Sequence, residues 1–243
     1  MSTLSTESLL TILQSQGVFG VVQTLTQQTD TQAVMNAYND LVAHLYWKAK
    51  NVAALTTLGI AGIQHGLAAV VATDDSESAT TLKSGVKTLA YNLASYTWPG
   101  WDEPGITLGR TEVLIGLDAA RLCLSLSEEL NQPELPRSRT HWLVGTALMA
   151  AASWAVDEVA QDNLVQALEH FSSAVTLANG VNERGDALLS QGFETLTRLL
   201  MNPDDNDAKA ELVEVKVQLS ELEQSEFYIG QIDTAVRVFG VDV

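Results

Sequence analysis

The residues best suited to chemistry lie in one loop, SYTWPGWDEPGIT, at positions 95–107. The loop holds two of the five tryptophans, two of the five prolines and an adjacent pair of carboxylates. Two indoles in a stiff loop can form a platform for a sugar ring, a peptide proline or a cation. The carboxylates can hydrogen-bond hydroxyl groups or act as acid and base. The candidate binding residues are Trp98, Trp101, Asp102 and Glu103.

A purely structural interpretation of this loop stays open. The residue before each proline is restricted to extended geometry, and Gly100 and Gly105 allow sharp turns. In this interpretation the loop is a clasp, whose indoles fold back onto neighbouring helices while its carboxylates stabilise the N-terminus of the following helix. We expect the clasp role for Trp98, which is nearer to the preceding helix.

Outside the loop, the sequence offers little that is typical of catalysis. It contains no Gly-rich phosphate loop, paired-histidine zinc helix or Gly-x-Ser-x-Gly nucleophile turn. The histidines His44, His65, His141 and His170 are scattered, without the spacing of metal ligands. We expect His65, inside an apolar segment, to be hydrogen-bonded and able to titrate near neutrality, and its function stays open. The sequence therefore indicates no catalytic residue, no metal site and no cofactor.

Charge and cysteine content restrict the class of protein. The formal net charge of −17 argues against binding to nucleic acid or to anionic membranes, because both need a basic face. An acidic protein of this kind can bind a protein or peptide partner, and that partner can be basic. The single cysteine, Cys123, excludes an internal disulfide, and its apolar surroundings predict a buried thiol. Since the N-terminus has no signal-peptide pattern, we expect a cytoplasmic location.

One segment has the length of a membrane span. Positions 51–73 carry no charged residue, and 23 residues are enough to cross a bilayer. Thr56, Thr57, Gln64 and His65 interrupt this segment, and polar side chains at mid-bilayer are costly. We therefore expect a fully buried central helix in a soluble protein.

Apolar residues recur with helical spacing almost throughout, which predicts an all-α chain of about ten helices. Short connections predict antiparallel neighbours, and hence one domain over 1–243, with an alternative division into 1–131 and 138–243 at a segment with two prolines. A break is expected at Gly17, a helix cap within 29–32, and a cap at Asn206 or Asp207. The predicted helices are 5–15, 18–28, 29–48, 51–72, 73–96, 108–130, 138–160, 163–178, 184–201, 207–223 and 225–239.

Three segments resemble the tetratricopeptide repeat in the spacing of large and small apolar residues. The family places a large aromatic residue, then Leu, Gly, Tyr, Ala, Phe and Ala at steps of three, one, three, nine, four and three. Small residues at these steps permit close approach of two paired helices. The matching positions are Tyr38, Leu41, Val42, Leu45, Ala54, Leu58 and Ala61; Ala151, Trp154, Ala155, Glu158, Ala167, Phe171 and Ala174; and Gly192, Thr195, Leu196, Leu199, Ala208, Leu212 and Val215.

This resemblance implies stacked antiparallel helical hairpins, arranged as a tetratricopeptide-like superhelix or an irregular bundle. In the family the first helix of each pair lines a groove, so the resemblance implies that Asn36, Asn39, Tyr46 and Trp47 face a peptide. Amides can pair with a peptide backbone while aromatic rings bury apolar side chains. In the alternative interpretation, Tyr46 and Trp47 seal the core against the next pair.

The function expected from these features is a non-catalytic helical scaffold that binds a protein or peptide. The main alternative is an all-helical enzyme or a binder of a small, sugar-like molecule that uses the loop at 98–103. A third alternative is a structural protein that associates with itself, as a homo-oligomer. A groove without a deep pocket favours the first, and a pocket that gathers carboxylates from several helices favours an enzyme.

Overall fold

A computed structural model describes residues 5–242 of the chain, and the regular structure over this range is entirely helical. The predicted all-α class is therefore confirmed. A π-helical turn at Leu45–Ala49 extends α2, and a 3-10 turn at Pro99–Trp101 lies in the loop. The ten helices are α1 (Thr6–Thr26), α2 (Thr31–His44), α3 (Val52–Ala72), α4 (Ser76–Tyr96), α5 (Arg110–Glu129), α6 (Glu134–Ala152), α7 (Asp157–Gly180), α8 (Arg184–Met201), α9 (Asn206–Ser220) and α10 (Ser225–Phe239).

Local signals explain most of the helix ends. Gly17 interrupts α1 with φ near 70°, in the left-handed region that glycine tolerates, and so produces the predicted break. The Asp30 carboxylate caps α2 by accepting from the backbone N–H of Ala33, within the predicted segment. The cap of α9 was predicted at Asn206 or Asp207. It is instead Asp205, whose carboxylate accepts from the backbone N–H of Ala208.

The connections around α6 differ from the predicted ones. Pro136 lies in the first turn of α6, where the missing N–H has no helical partner to lose, so the helix begins at Glu134. The predicted helix over 138–160 was wrong, because α6 ends at Ala152 and a turn precedes α7. Asp157 and Glu158 favour a new N-terminus there, next to the positive end of the α7 dipole.

Consecutive helices from α2 to α10 pack as antiparallel hairpins through short connections. In addition, α2, α4, α6, α8 and α10 each contact the next even-numbered helix, whereas the odd-numbered helices contact one another less. The even-numbered helices therefore form a continuous row along one side of the array. We call the surface formed by this row of five helices the even-helix face.

Helix α4 joins two parts of the hydrophobic core. Its residues up to Leu89 pack with α1, α2 and α3, whereas Leu93 and Ala94 pack with the core of α5–α10. The segment at 131–138 comprises the end of the α5–α6 connection and the first turn of α6, and these two helices lie against each other. The alternative domain division at this connection stays a prediction.

The charge-free helix α3 is only partly buried. Among the described residues it is the one helix long and apolar enough to cross a membrane, and 39% of its most apolar 18-residue window is buried. Gln64 is exposed and Val71 is 87% exposed. The expectation of a fully buried central helix was therefore wrong. One face of α3 packs through Gly59, Gly62 and Gly66 onto α2 and α4, and the opposite face is open.

Candidate functional site

The first tryptophan of the loop is a core residue. Trp98 is 3% exposed, and its ring stacks on Phe239 of α10 with 5.4 Å between the centroids. Phe193 of α8 lies 6.2 Å from the same indole. Gly100 passes so close to the Trp98 ring that a Cβ atom there would overlap it. Trp98 thus fixes the loop to α8 and α10 and is almost entirely buried.

The two carboxylates of the loop form ion pairs with distant parts of the chain. Asp102 pairs with Arg237 of α10, and Glu103 pairs with Lys50, which follows the π-helical turn. Both pairs are partly exposed, so each is worth little stability on its own. The two carboxylates border one cavity of about 230 Å³, together with Tyr46 and Trp98. Because a cation on a different element holds each of them, both are engaged in ion pairs there.

Trp101 differs from Trp98, Asp102 and Glu103 in the pocket that it lines, which is larger and separate from the cavity that those three residues border. Its indole N–H donates to the backbone carbonyl of Ser95 at 2.8 Å, which fixes the ring at the end of α4. The ring lies 6.1 Å from that of Trp142 in α6. Together these two indoles form part of the wall of a pocket of about 360 Å³.

The pocket lies on the even-helix face, between α4, α6, α8 and α10. Its wall contains five of the 15 Phe, Trp and Tyr residues of the chain, a concentration that composition alone does not explain. The volume is within the range of known ligand sites, which begins at about 300 Å³. The lining residues are Tyr91, Trp101, Ser138, Arg139, Trp142, Asp186, Leu189, Ser190, Gln224, Phe227, Tyr228 and Gln231.

An ion pair joins two helices in this wall. The Arg139 guanidinium donates from Nε to Asp186 Oδ1 at 2.8 Å and from Nη2 to Oδ2 at 3.2 Å. The Asp186 side chain is 11% exposed and that of Arg139 is 53% exposed, so the pair runs from the wall to the mouth of the pocket. The hydrogen bonds to Asp186 raise the pKa of the guanidinium, which keeps Arg139 charged. Tyr91 and Tyr228 flank the pair, and burial raises the pKa of both phenols.

Other polar groups of the wall lack partners within residues 5–242. The Trp142 indole is 7% exposed, and its buried Nε1 has no hydrogen-bond acceptor there. An unsatisfied buried donor costs about 1–3 kcal/mol, and no acceptor in the described chain relieves that cost at Trp142. Gln231 is also buried, at 9% exposure, and carries both a donor and an acceptor.

A second pocket of about 320 Å³ adjoins the first and shares Tyr91 and Arg139 with it. The other residues that line it are Lys87, Thr88, Pro136 and Thr140. Its only charged lining residues are Lys87 and Arg139, so this end of the even-helix face is cationic. We call the first the aromatic pocket and the second the basic pocket.

The predicted groove residues of α2 lie at the other end of the even-helix face. Asn36 is exposed and accepts from Gln32 at 3.1 Å. Asn39 donates to the Met35 carbonyl at 3.0 Å and accepts from Asn92 of α4 at 3.3 Å. The side-chain oxygen of Asn36, and both the oxygen and the nitrogen of the Asn39 side chain, thus form hydrogen bonds within the protein.

The two aromatic residues predicted with them separate in burial. Tyr46 is 2% exposed and stacks on Tyr96 with 4.3 Å between the centroids, so it seals the core. Trp47 packs its edge against Tyr46 and remains 54% exposed. None of the four residues predicted on α2 and its π-helical turn lines the aromatic or the basic pocket.

Two expectations for His65 need correction. Within the described chain the buried Nε2 of His65 has no hydrogen-bond partner, and burial lowers the pKa of this histidine. His141 and His170, distant in the sequence, meet between α6 and α7 with 3.0 Å between their Nδ1 atoms. Burial, with the charges of His170 and Arg137, lowers the pKa of His141 to about 4. No group of three or more His, Cys, Asp or Glu residues that could hold a metal occurs among the described residues.

Sequence reasoning found Trp101 and missed the rest of the pocket. One signal was present: Asp186 lies on the same stripe of α8 as the buried Ser190 and Phe193, so its carboxylate had to be buried and paired. On α4, Lys83 pairs with Glu129 at 2.8 Å, whereas Lys87 lines the basic pocket. No protein-family model matches the chain, and no curated protein matches it in sequence.

Proposed function

We propose that this protein is a helical scaffold that binds a segment of another protein on its even-helix face. The observation that carries the proposal is the aromatic pocket, which combines five aromatic side chains with polar groups that both donate and accept. Aromatic and arginine side chains supply most of the binding energy in protein interfaces. The Arg139–Asp186 pair, Gln224 and Gln231 can hydrogen-bond the N–H and C=O groups of a peptide backbone.

Binding without catalysis is favoured by the state of the carboxylates. Asp186 is the only carboxylate of the aromatic pocket, and a guanidinium holds both of its oxygens. An acid or base must reach the proton that it transfers, and this carboxylate is committed to another partner. The even-numbered helices form a row, as the first helices of successive tetratricopeptide repeats do. We propose this resemblance as an architectural relationship.

The proposal is tested with a library of random peptides displayed on phage and selected against the purified protein. Selected peptides are then synthesised and titrated against two variants. Phe227 is 60% exposed at the aromatic pocket, and Phe19 is 89% exposed on α1. Since both rings are exposed, F227A and F19A should each leave the fold intact. We expect at least tenfold weaker binding to F227A and unchanged binding to F19A.

Two results would overturn the proposal. One is that the selection enriches no peptide. The other is that the enriched peptides bind F227A as tightly as the unchanged protein, because the even-helix face would then not be the binding surface.

A small-molecule binder is the second candidate, and one observation favours it. Trp101, which was predicted as part of a ligand platform, forms a wall of a pocket whose volume fits a small ligand. A screen of sugars and other planar or cyclic metabolites by tryptophan fluorescence tests this candidate. A metabolite whose binding is lost in F227A and kept in F19A would favour it over a peptide partner.

A further inference from the structure

The basic pocket contrasts with the charge of the whole protein. The chain has 30 acidic and 13 basic residues, yet the charged lining of this pocket consists of Lys87 and Arg139 alone. Lys83, one turn earlier on α4, pairs with Glu129. Lys87 forms no ion pair within the described chain, where eight such pairs occur. Lys87 is therefore a cation without an internal counter-ion.

Arg139 can contribute to the same subsite. Its hydrogen bonds to protein atoms in the described range use Nε and Nη2, which leaves the Nη1 donors for a ligand. Because the Asp186 pair fixes the guanidinium plane, these donors are already oriented before a ligand binds. A fixed guanidinium beside a lysine suits a carboxylate, since both groups donate hydrogen bonds and neither accepts one.

The two pockets are close enough for one short segment to occupy both. Lys87 and Tyr91 are four residues apart on α4, so they are neighbours on one helix face at about 6 Å between their Cβ atoms. Tyr91 and Arg139 belong to both pockets. A ring in the aromatic pocket and a carboxylate in the basic pocket must therefore come from residues that are adjacent or nearly adjacent in the partner.

We propose that the partner segment carries an aromatic residue next to an aspartate or glutamate, with the ring in the aromatic pocket and the carboxylate held by Lys87 and Arg139. This inference rests on the proposed function and specifies its ligand. The net charge of −17 attracts a partner of positive overall charge, while the basic pocket selects an acidic residue within the bound segment. The attraction between overall charges acts at long range and the contact with the acidic residue acts at short range, so one partner can meet both requirements.

The test uses three hexapeptides with blocked ends: acetyl-Gly-Ser-Phe-Glu-Ser-Gly-amide and the same sequence with Gln in place of Glu or Ala in place of Phe. Blocking the ends removes the terminal carboxylate as a competing anion. Binding is followed by NMR of the indole N–H signals in protein labelled with ¹⁵N-tryptophan, which detects weak complexes. We expect the signals of Trp101 and Trp142 to shift and that of Trp154, exposed in the turn after α6, to stay unchanged.

We expect the Phe-Glu peptide to bind at least tenfold more tightly than either altered peptide. In K87A this preference over the Phe-Gln peptide should fall to less than threefold, while K48A, which removes an exposed lysine outside the two pockets, should keep it. Raising the salt concentration should weaken the Phe-Glu peptide more than the Phe-Gln peptide.

Failure of this inference differs from failure of the proposed function. If the Phe-Glu and Phe-Gln peptides bind equally, or if K87A keeps the preference, the acidic specificity is wrong and peptide binding on the even-helix face remains. The inference is likewise overturned if two results occur together. None of the three hexapeptides shifts the indole signals, and phage selection yields peptides that need Phe227 for binding but lack an aromatic–acidic pair. If selection yields no peptide that needs Phe227 for binding, both the proposed function and this inference fail.

Discussion

Two groups of aromatic residues on this protein have opposite surroundings. Tyr46, Tyr96 and Trp98, which we call the sealed aromatics, are each at most 9% exposed and stack on other rings. The rings of the aromatic pocket instead surround open volume. Both groups draw on the loop at 95–107, through Trp98 and Trp101. One loop thus stabilises the fold with its first indole and shapes a surface with its second.

The difference shows why residue type alone does not identify a binding site. An indole contributes to stability in proportion to the apolar area it buries. It contributes to recognition only where part of its face or its N–H stays unpartnered. Trp98 meets the first condition, while Trp101 and Trp142 border space that a ligand can fill.

The largest effect that separates the two groups is expected from W98A. Truncating a buried aromatic side chain typically costs about 3–5 kcal/mol, because the burial is lost and a cavity remains. W101A removes a half-buried ring and one hydrogen bond, so we expect a cost of about 1–2 kcal/mol. Urea unfolding of both variants measures the two values. Equal costs would mean that the sealed aromatics and the pocket rings do not differ energetically.

Much of the fold, but little of the pocket, could be predicted from the sequence. Helices and the cap of α2 depend on residues within one or two turns, which periodicity and capping rules describe. The pocket depends on pairs such as Arg139–Asp186, whose residues are 47 positions apart and meet only when helices pack. The hydrogen bond of the predicted residue Asn39 has the same long-range origin, since its donor, Asn92 of α4, lies 53 residues away.

An intermediate loss of unfolding free energy is expected at acidic pH, and it should come from α6, the helix that carries Trp142. His141 precedes Trp142 on α6, and its folded pKa of about 4 lies below the unfolded value of about 6.5. A lowered histidine pKa stabilises the fold above pH 6.5, and this stability is lost as the pH falls. Linkage gives a loss of about 2 kcal/mol between pH 7 and pH 5 from His141.

Urea unfolding at pH 7 and pH 5 measures this loss. His170, whose pKa burial also lowers, adds to the effect in the same direction. H141Q should remove the share of His141, about 2 kcal/mol of the loss, whereas H44Q should retain it, since His44 lies on α2 outside this pair. An unchanged pH dependence in H141Q would show that the histidine pair does not set the stability of the α6–α7 hairpin.

The smallest effect is expected on α2, at the end of the even-helix face where the sequence predicted groove residues. Asn36 is exposed and its one side-chain hydrogen bond is to Gln32, a neighbour on the same helix. N36A should therefore change the unfolding free energy by less than about 0.5 kcal/mol. Because Asn36 lines neither pocket, N36A should also leave the affinity for selected peptides unchanged, while F227A lowers it. If N36A weakens peptide binding by more than threefold, the bound segment extends from α10 to α2, and the binding surface includes the groove that the tetratricopeptide resemblance implies.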